Sequence, residues 1–367
     1  MTDQPLAATH LRELLPITPP PSDSSDGRVI YCRYNSRPSS WYECNTSMKV
    51  LGCRTDGTRR HTVAPSLLGP NRWALPVGFT LSGEPMVAGV RQTPEAAAYE
   101  EETKLIHPSG TESEVYRAGK HLACLTRKAP GNFHSSARDT SRGLVFRAAF
   151  GDDTYIYLRH RNGRFSRIAE LPGYHADISI SGDIAYHHPY GGYQLILNDS
   201  KVETPHPWNF FCSFSPDGRH LLFVAGSDND HTDVWIAESD GSNPRQIASR
   251  RGYTGVIPMF DNSSDFHGRS SNLPCWGRDA SHVYYTATIG ESDEFCCVDI
   301  LTGSVTQLTS SPPGSWWSNP KSSCNGKRLA VTGCMNGVRN IYVTDFASLW
   351  SVTNQKPGDA VAWPSIY

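Results

Sequence analysis

Phe214-Ser-Pro-Asp-Gly-Arg-His-Leu-Leu-Phe-Val224, followed by Asp233-Val-Trp-Ile-Ala-Glu-Ser-Asp-Gly-Ser-Asn-Pro-Arg-Gln-Ile-Ala248, reads as four short strands joined by tight turns. Apolar residues alternate within each run, and Asp-Gly pairs, which tolerate positive φ, bound the runs. Degenerate copies follow at Cys275-Trp-Gly-Arg-Asp-Ala-Ser-His-Val-Tyr-Tyr285 with Val298–Leu308, and at Ser323-Cys-Asn-Gly-Lys-Arg-Leu-Ala-Val331 with Ile341–Asp345. The last turn of each unit is traced at Gly57, Gly110, Gly163, Asp199, Gly241, Gly303 and near Ala347, a spacing of about 48 residues. A four-stranded sheet of this size has two apolar faces and cannot bury both alone, so the units must stack on one another.

Seven such units predict an all-β fold, a seven-bladed β-propeller over residues 25–367, preceded by a Pro-rich segment, 1–24. The first unit lacks an inner strand, while the chain ends on a spare one, Ala360-Val-Ala-Trp-Pro-Ser-Ile-Tyr367. This tail is expected to complete the first blade and close the ring. Two excursions interrupt the pattern. Gln92–Glu102, with its Ala-Ala-Ala-Tyr-Glu-Glu-Glu run, reads as a solvated helix. The stretch from Arg250 to Asn272 exceeds ordinary connections and reads as a lid or binding loop.

Lys and Arg number 34 against 36 Asp and Glu, a formal charge of −2, and basic residues cluster only as Arg59-Arg60 and Arg250-Arg251. Nucleic acid and anionic membrane are therefore not expected partners. No apolar run approaches the roughly 20 residues of a membrane span. The N-terminus carries neither a basic start nor a long apolar stretch, so no signal peptide is expected. The ten cysteines sit mostly singly in apolar runs (Cys32, Cys124 and Cys212 among them) without a C-x-x-C pair, the pattern of reduced, buried thiols in a cytoplasmic protein. A zinc site is not expected. P-loop, dinucleotide, H-E-x-x-H and nucleophile-elbow motifs are absent, and Asp228-Asn-Asp-His231 lacks the Gly and Glu of a calcium loop.

In a propeller, the entries to the inner strands and the loops between second and third strands meet at one mouth of the central channel. The entries carry Trp73, Asn132, His134, Tyr174, His175, His206, Trp208, Asn209, Trp316, Trp317 and Asn319. The second set brings His187-His188-Pro-Tyr190, Asp228–His231 and Arg339. Imidazoles, a phenol and indoles together suit a polar, ring-shaped ligand: aromatic faces for stacking, titratable groups for proton transfer. In the fourth unit Tyr174-His175 and His187-His188 occupy adjacent loops, so His175 can face one of the two histidines.

Ser215-Pro-Asp-Gly218 with Asp240-Gly-Ser-Asn-Pro-Arg-Gln-Ile247 resembles the TolB-type β-propeller repeat, most clearly over residues 206–367. Among such propellers the chain is similar to the oligogalacturonate lyases in its His206-Pro-Trp-Asn segment, its phasing and its size. The resemblance implies a metal held by Gln and His that neutralises a uronate carboxylate, with a His removing the proton for β-elimination. Where that family carries a His-Pro-His-Pro run, this chain has Trp317-Ser-Asn319-Pro320, without the two imidazoles. Elimination without a metal is then expected to rest on Arg138, Arg269, Lys321 or Arg339 for the anion.

The resulting expectation is an acid–base enzyme of the lyase or isomerase type, acting on an oxygenated small molecule or a short uronate-like saccharide. His175, His206 and Tyr190 would handle protons and Arg138 would stabilise the anion. Trp73, His134, His187, His188, Trp208, Asn209, His267, Arg269, Trp317, Asn319, Lys321 and Arg339 would bind substrate. No cofactor is required, and a divalent metal, were one used, would sit at the His cluster. The protein is expected to be a monomer or weak homodimer. Two alternatives stand beside this reading: a biosynthetic cyclase or isomerase working on an apolar substrate in the same pocket, and a non-catalytic propeller that binds a protein or peptide.

Overall fold

The computed structural model describes residues 14–35, 39–103, 110–150, 153–189, 193–228, 231–253 and 273–367. Its strands fall into seven antiparallel units of four. The fifth is representative: Trp208–Phe214, His220–Gly226, Thr232–Glu238 and Arg245–Ala248 pair in chain order. The first unit departs from that order as expected. Its inner strand is the C-terminal Asp359–Ile366, which pairs antiparallel with Arg28–Asn35, ahead of Lys49–Arg54 and His61–Thr62. Single parallel bridges, Ser113 to Phe133 and Asp293 to Trp316, join the second unit to the third and the sixth to the seventh.

Each unit buries one face against the preceding unit and the other against the next, because successive side chains point to opposite sides of a strand. Met86 and Val115 meet Leu144 and Phe146 between units two and three. Val145 and Ile156 meet Tyr186 and Ile196 between three and four. Leu195 and Leu197 meet Phe214 and Phe223, Leu222 and Ile236 meet Val283 and Tyr285, and Phe295 and Cys297 meet Val331 and Tyr342. Cys296 and Cys297 accordingly face different interfaces. Ile30 and Val50 pack on Ala74 and Val87 of the second unit, while Val29, Tyr31 and Val361 pack on Ile341 and Trp350 of the seventh. Every neighbouring pair thus shares a core, and the last pair returns to the first. The architecture is a closed seven-bladed propeller.

Six of the seven expected outer turns lie between third and outer strands. The exception is Gly110, which ends the excursion before Thr111–Ala118; its carbonyl accepts the Thr93 amide at 2.8 Å. The outer turn of the second unit runs instead between Ala118 and Leu122. The excursion itself contains a helix, α2 (Pro94–Thr103), that buries Ala96 and Ala97, and α1 (Trp41–Ser47) occupies the matching loop of the first unit. Residues 14–23 run along the outside of the last two units. Leu15 donates to the Leu308 carbonyl at 2.9 Å, and Ile17 bridges Leu349 in the outer strand of the seventh unit.

Candidate functional site

Six inner strands carry a bulge or break in register partway along. At five of them a non-glycine residue takes the left-handed conformation: Ser136, His175, Phe211, Asn319 and Trp363, with φ between 48° and 53°. The extra residue re-aims the side chain at that level. The level is shared around the ring, since the His175 and Phe211 rings, on adjacent inner strands, meet edge to face at 4.6 Å.

Immediately beyond the bulge, five inner strands re-enter their pairing at an equivalent position: Arg138 opposite Val145, Asp177 opposite Ala185, Ser213 opposite Leu222, Lys321 opposite Ala330 and Ser365 opposite Ile30. These positions form the throat, about 7 Å deeper than the bulge level for two residues of strand. Arg138 pairs with buried Asp177 at 2.5 Å, and the same carboxylate accepts the Phe214 amide at 2.9 Å. Lys321 has no hydrogen bond or ion pair among the described residues. Enclosure by the channel wall, reinforced by Arg138, lowers its pKa, with the Cys275 thiol opposing.

The mouth side of the bulge level gathers the fourth-unit histidines. His187 is buried and stacks on Tyr174 at 5.7 Å and on His175 at 5.4 Å. Burial above all, with Arg147 and His188 adding to it, pushes His187 down to a pKa of about 3, so its imidazole is neutral. Its Nδ1 is sealed from solvent with no hydrogen-bond partner among the described residues. His175 is half-buried at the edge of this stack. Tyr193, Trp208 and Phe210 extend the aromatic wall, with Tyr193 and Trp208 stacked at 5.2 Å. His188 turns aside, its Nδ1 donating to the Pro172 carbonyl at 2.6 Å.

Other expected site residues lie elsewhere. Trp73 and Trp317 are core residues; Trp317 packs on Tyr342 at 4.9 Å, because the first side chains of an inner strand point between blades before the bulge turns the next ones. His206 sits edge-on to Trp235 at 5.2 Å, against the core between units four and five, and no described contact joins it to His175. Its carbonyl accepts Asn209 Nδ2 at 3.0 Å. His134 is buried against Phe146, its Nε2 donating to the Pro130 carbonyl at 2.9 Å, and burial lowers its pKa. Arg339 donates to the Tyr34 hydroxyl at 2.7 Å in a buried pair. Tyr190, His267 and Arg269 lie outside the described residues.

Three contributors to the site escaped sequence reasoning: Arg147, Phe133 and Phe211. Arg147 stands on the second strand of the third unit, Gly143–Phe150, with its guanidinium 4.8 Å from the Tyr174 ring and 5.7 Å from the Phe133 ring. Its signal was the one charge in the run Gly-Leu-Val-Phe-Arg-Ala-Ala-Phe. A bulged Phe211 has no signature that separates it from an ordinary core residue.

The donor set does not suit the metal of the lyases that the sequence resembles. Asn319, where an imidazole would stand, is buried with its amide on Ser318 Oγ at 3.3 Å. Among the described residues no three His, Cys, Asp or Glu side chains converge.

The fold resembles that of the TolB-type β-propellers. No family model matches the chain, and no curated protein matches it. Among solved structures it is similar to TolB from Acinetobacter baumannii, with a TM-score of 0.52 and 12% identity over 94% of this chain and 67% of that one. A protein from Bacteroides uniformis, provisionally designated a 6-phosphogluconolactonase, gives 0.51 and 11% identity over 93% of this chain and 100% of that one. A puromycin hydrolase variant gives 0.51 and 14% identity, this chain spanning 47% of its length. At these identities the likeness concerns the fold.

Proposed function

We propose that the mouth over the third to fifth blades is the active site of an acid–base enzyme, of the lyase or isomerase type, acting on an oxygenated small molecule. One observation carries this reading: His175 lies half-exposed in contact with a buried, neutral His187 whose Nδ1 has no partner among the described residues. A sealed, unsatisfied ring nitrogen costs about 1–3 kcal/mol, a cost a fold keeps where a ligand or proton path uses it. His175 takes the proton from the substrate, and the neutral His187 ring beside it accepts the neighbouring imidazolium without like-charge repulsion. Beneath them the throat supplies positive charge for the oxyanion that forms. Lys321 serves there better than Arg138, whose charge Asp177 already balances.

The stacked Tyr193, Trp208 and Phe210 favour a second reading, in which the same groups act on a largely apolar substrate body. Ten cysteines, seven of them buried, support a reducing, cytoplasmic setting. Among the described residues no helix is long and apolar enough to cross a membrane.

Uronate oligosaccharides, followed by the ultraviolet absorbance of an unsaturated product, test the lyase branch. Exchange of substrate C–H for solvent deuterium tests the isomerase branch. His175→Ala is expected to cut whichever rate is found by roughly 10²–10⁴-fold. Undiminished turnover in that variant would remove His175 from the chemistry.

A further inference from the structure

A protonated guanidinium enclosed without a carboxylate is an expensive arrangement, since desolvating an unpaired charge costs several kcal/mol and a cation–π contact returns only about 0.5–2. Arg147 approaches that position, half-buried on its strand. Aromatic rings flank it, its Nε is sealed from solvent without a partner, and it has no hydrogen bond or ion pair among the described residues. Burial lowers its pKa, yet an arginine stays charged at any physiological pH. Among the described residues the titratable side chains around it supply no anion: Tyr174 is a phenol and His187 a base.

We infer that Arg147 is the carboxylate-recognition residue of the mouth, and that the ligand is an organic monocarboxylate with a flat body. This rests on the mouth being a small-molecule site, as proposed above, and names the class of molecule it takes. A carboxylate meets the terminal nitrogens of a guanidinium in a planar, two-point contact. One cation among neutral rings suits a single negative charge, whereas a phosphate dianion calls for several donors and cations. The flat body follows from the walls: Tyr174 and His187 stack within 11° of parallel, with His175 on the same His187 ring within 18°. A planar ligand anchored at Arg147 continues that stack toward His175, so its carboxylate end and its reacting end are fixed by different blades.

Benzoate and benzamide, alike in shape and different in charge, test this on the full chain, with quenching of tryptophan fluorescence and thermal shift as readouts and inorganic phosphate as a third probe. Benzoate is expected to bind saturably and roughly 10- to 100-fold tighter than benzamide, the worth of a charge-assisted contact. Arg147→Gln should abolish that preference. Equal binding of the two probes, stronger binding of phosphate, or an undiminished preference in the variant would each overturn the inference. Should Arg147→Gln fail to fold, the comparison of the three probes on the unaltered protein decides alone. The readout is binding, so absence of turnover on every substrate would reject the acid–base reading and leave this one standing.

Discussion

At the scale of single residues, His187 ties stability to acidity. Its imidazole is neutral in the folded protein down to a pKa of about 3, against 6.5 when exposed. Between those values the unfolded chain binds a proton that the folded protein refuses. The contribution is therefore complete above pH 6.5 and declines as pH falls, by at most about 1.4 kcal/mol per pH unit, until pH nears 3. His187→Phe keeps a ring in the stack and removes the titration. Its melting temperature should fall less steeply between pH 6 and 4 than that of the parent protein, and parallel slopes would assign the acid lability to other groups. That His175 faces one of the two histidines of the next loop was legible in the sequence, because two histidine-bearing loops of one short blade have little room to separate; that it is His187 came from the structure. Arg147 was not, since a charge inside a strand looks alike whether it faces solvent or a ring. His206 misled for a related reason: a loop residue beside an inner strand can fold back over the blade interface, and Trp235 offers its edge there.

At the scale of the strand, the bulge decides what the channel sees. The repeat announced itself through its outer turns, six of seven of which were found, and four of those six carry a glycine at positive φ: Gly57, Gly163, Gly241 and Gly303. The bulges use serine, histidine, phenylalanine, asparagine and tryptophan in the same region of φ, so no residue type marks them. Ser136 offers a test remote from the proton chemistry. Ser136→Gly should fold and melt close to the parent, while Ser136→Val, β-branched in a left-handed position, should lose about 1–2 kcal/mol. Urea midpoints measure both. Equal stability of the two variants would mean that the strand straightens when its residue cannot bend.

At the scale of the whole molecule, stability is shared among interfaces. Seven cores of similar make-up hold seven units, and removal of one inner strand opens two of them. Without Asp359–Tyr367 the first unit loses its partner strand, and Val361, Ile366 and Ala360 leave the cores on either side. That truncation is expected to be insoluble or to unfold without a cooperative transition. A soluble, cooperatively melting product would show that the ring holds without its clasp.

The clasp also sets a timetable. A chain emerges from the ribosome N-terminus first, so Arg28–Asn35 waits with one edge bare until Asp359–Ile366 appears. A product stopped between Asn35 and Asp359 carries that exposed strand edge, a template for aggregation that the closed ring does not present. Asp359–Ile366 therefore acts as a checkpoint, for only a chain that has been made as far as this strand can cover the edge of its first one.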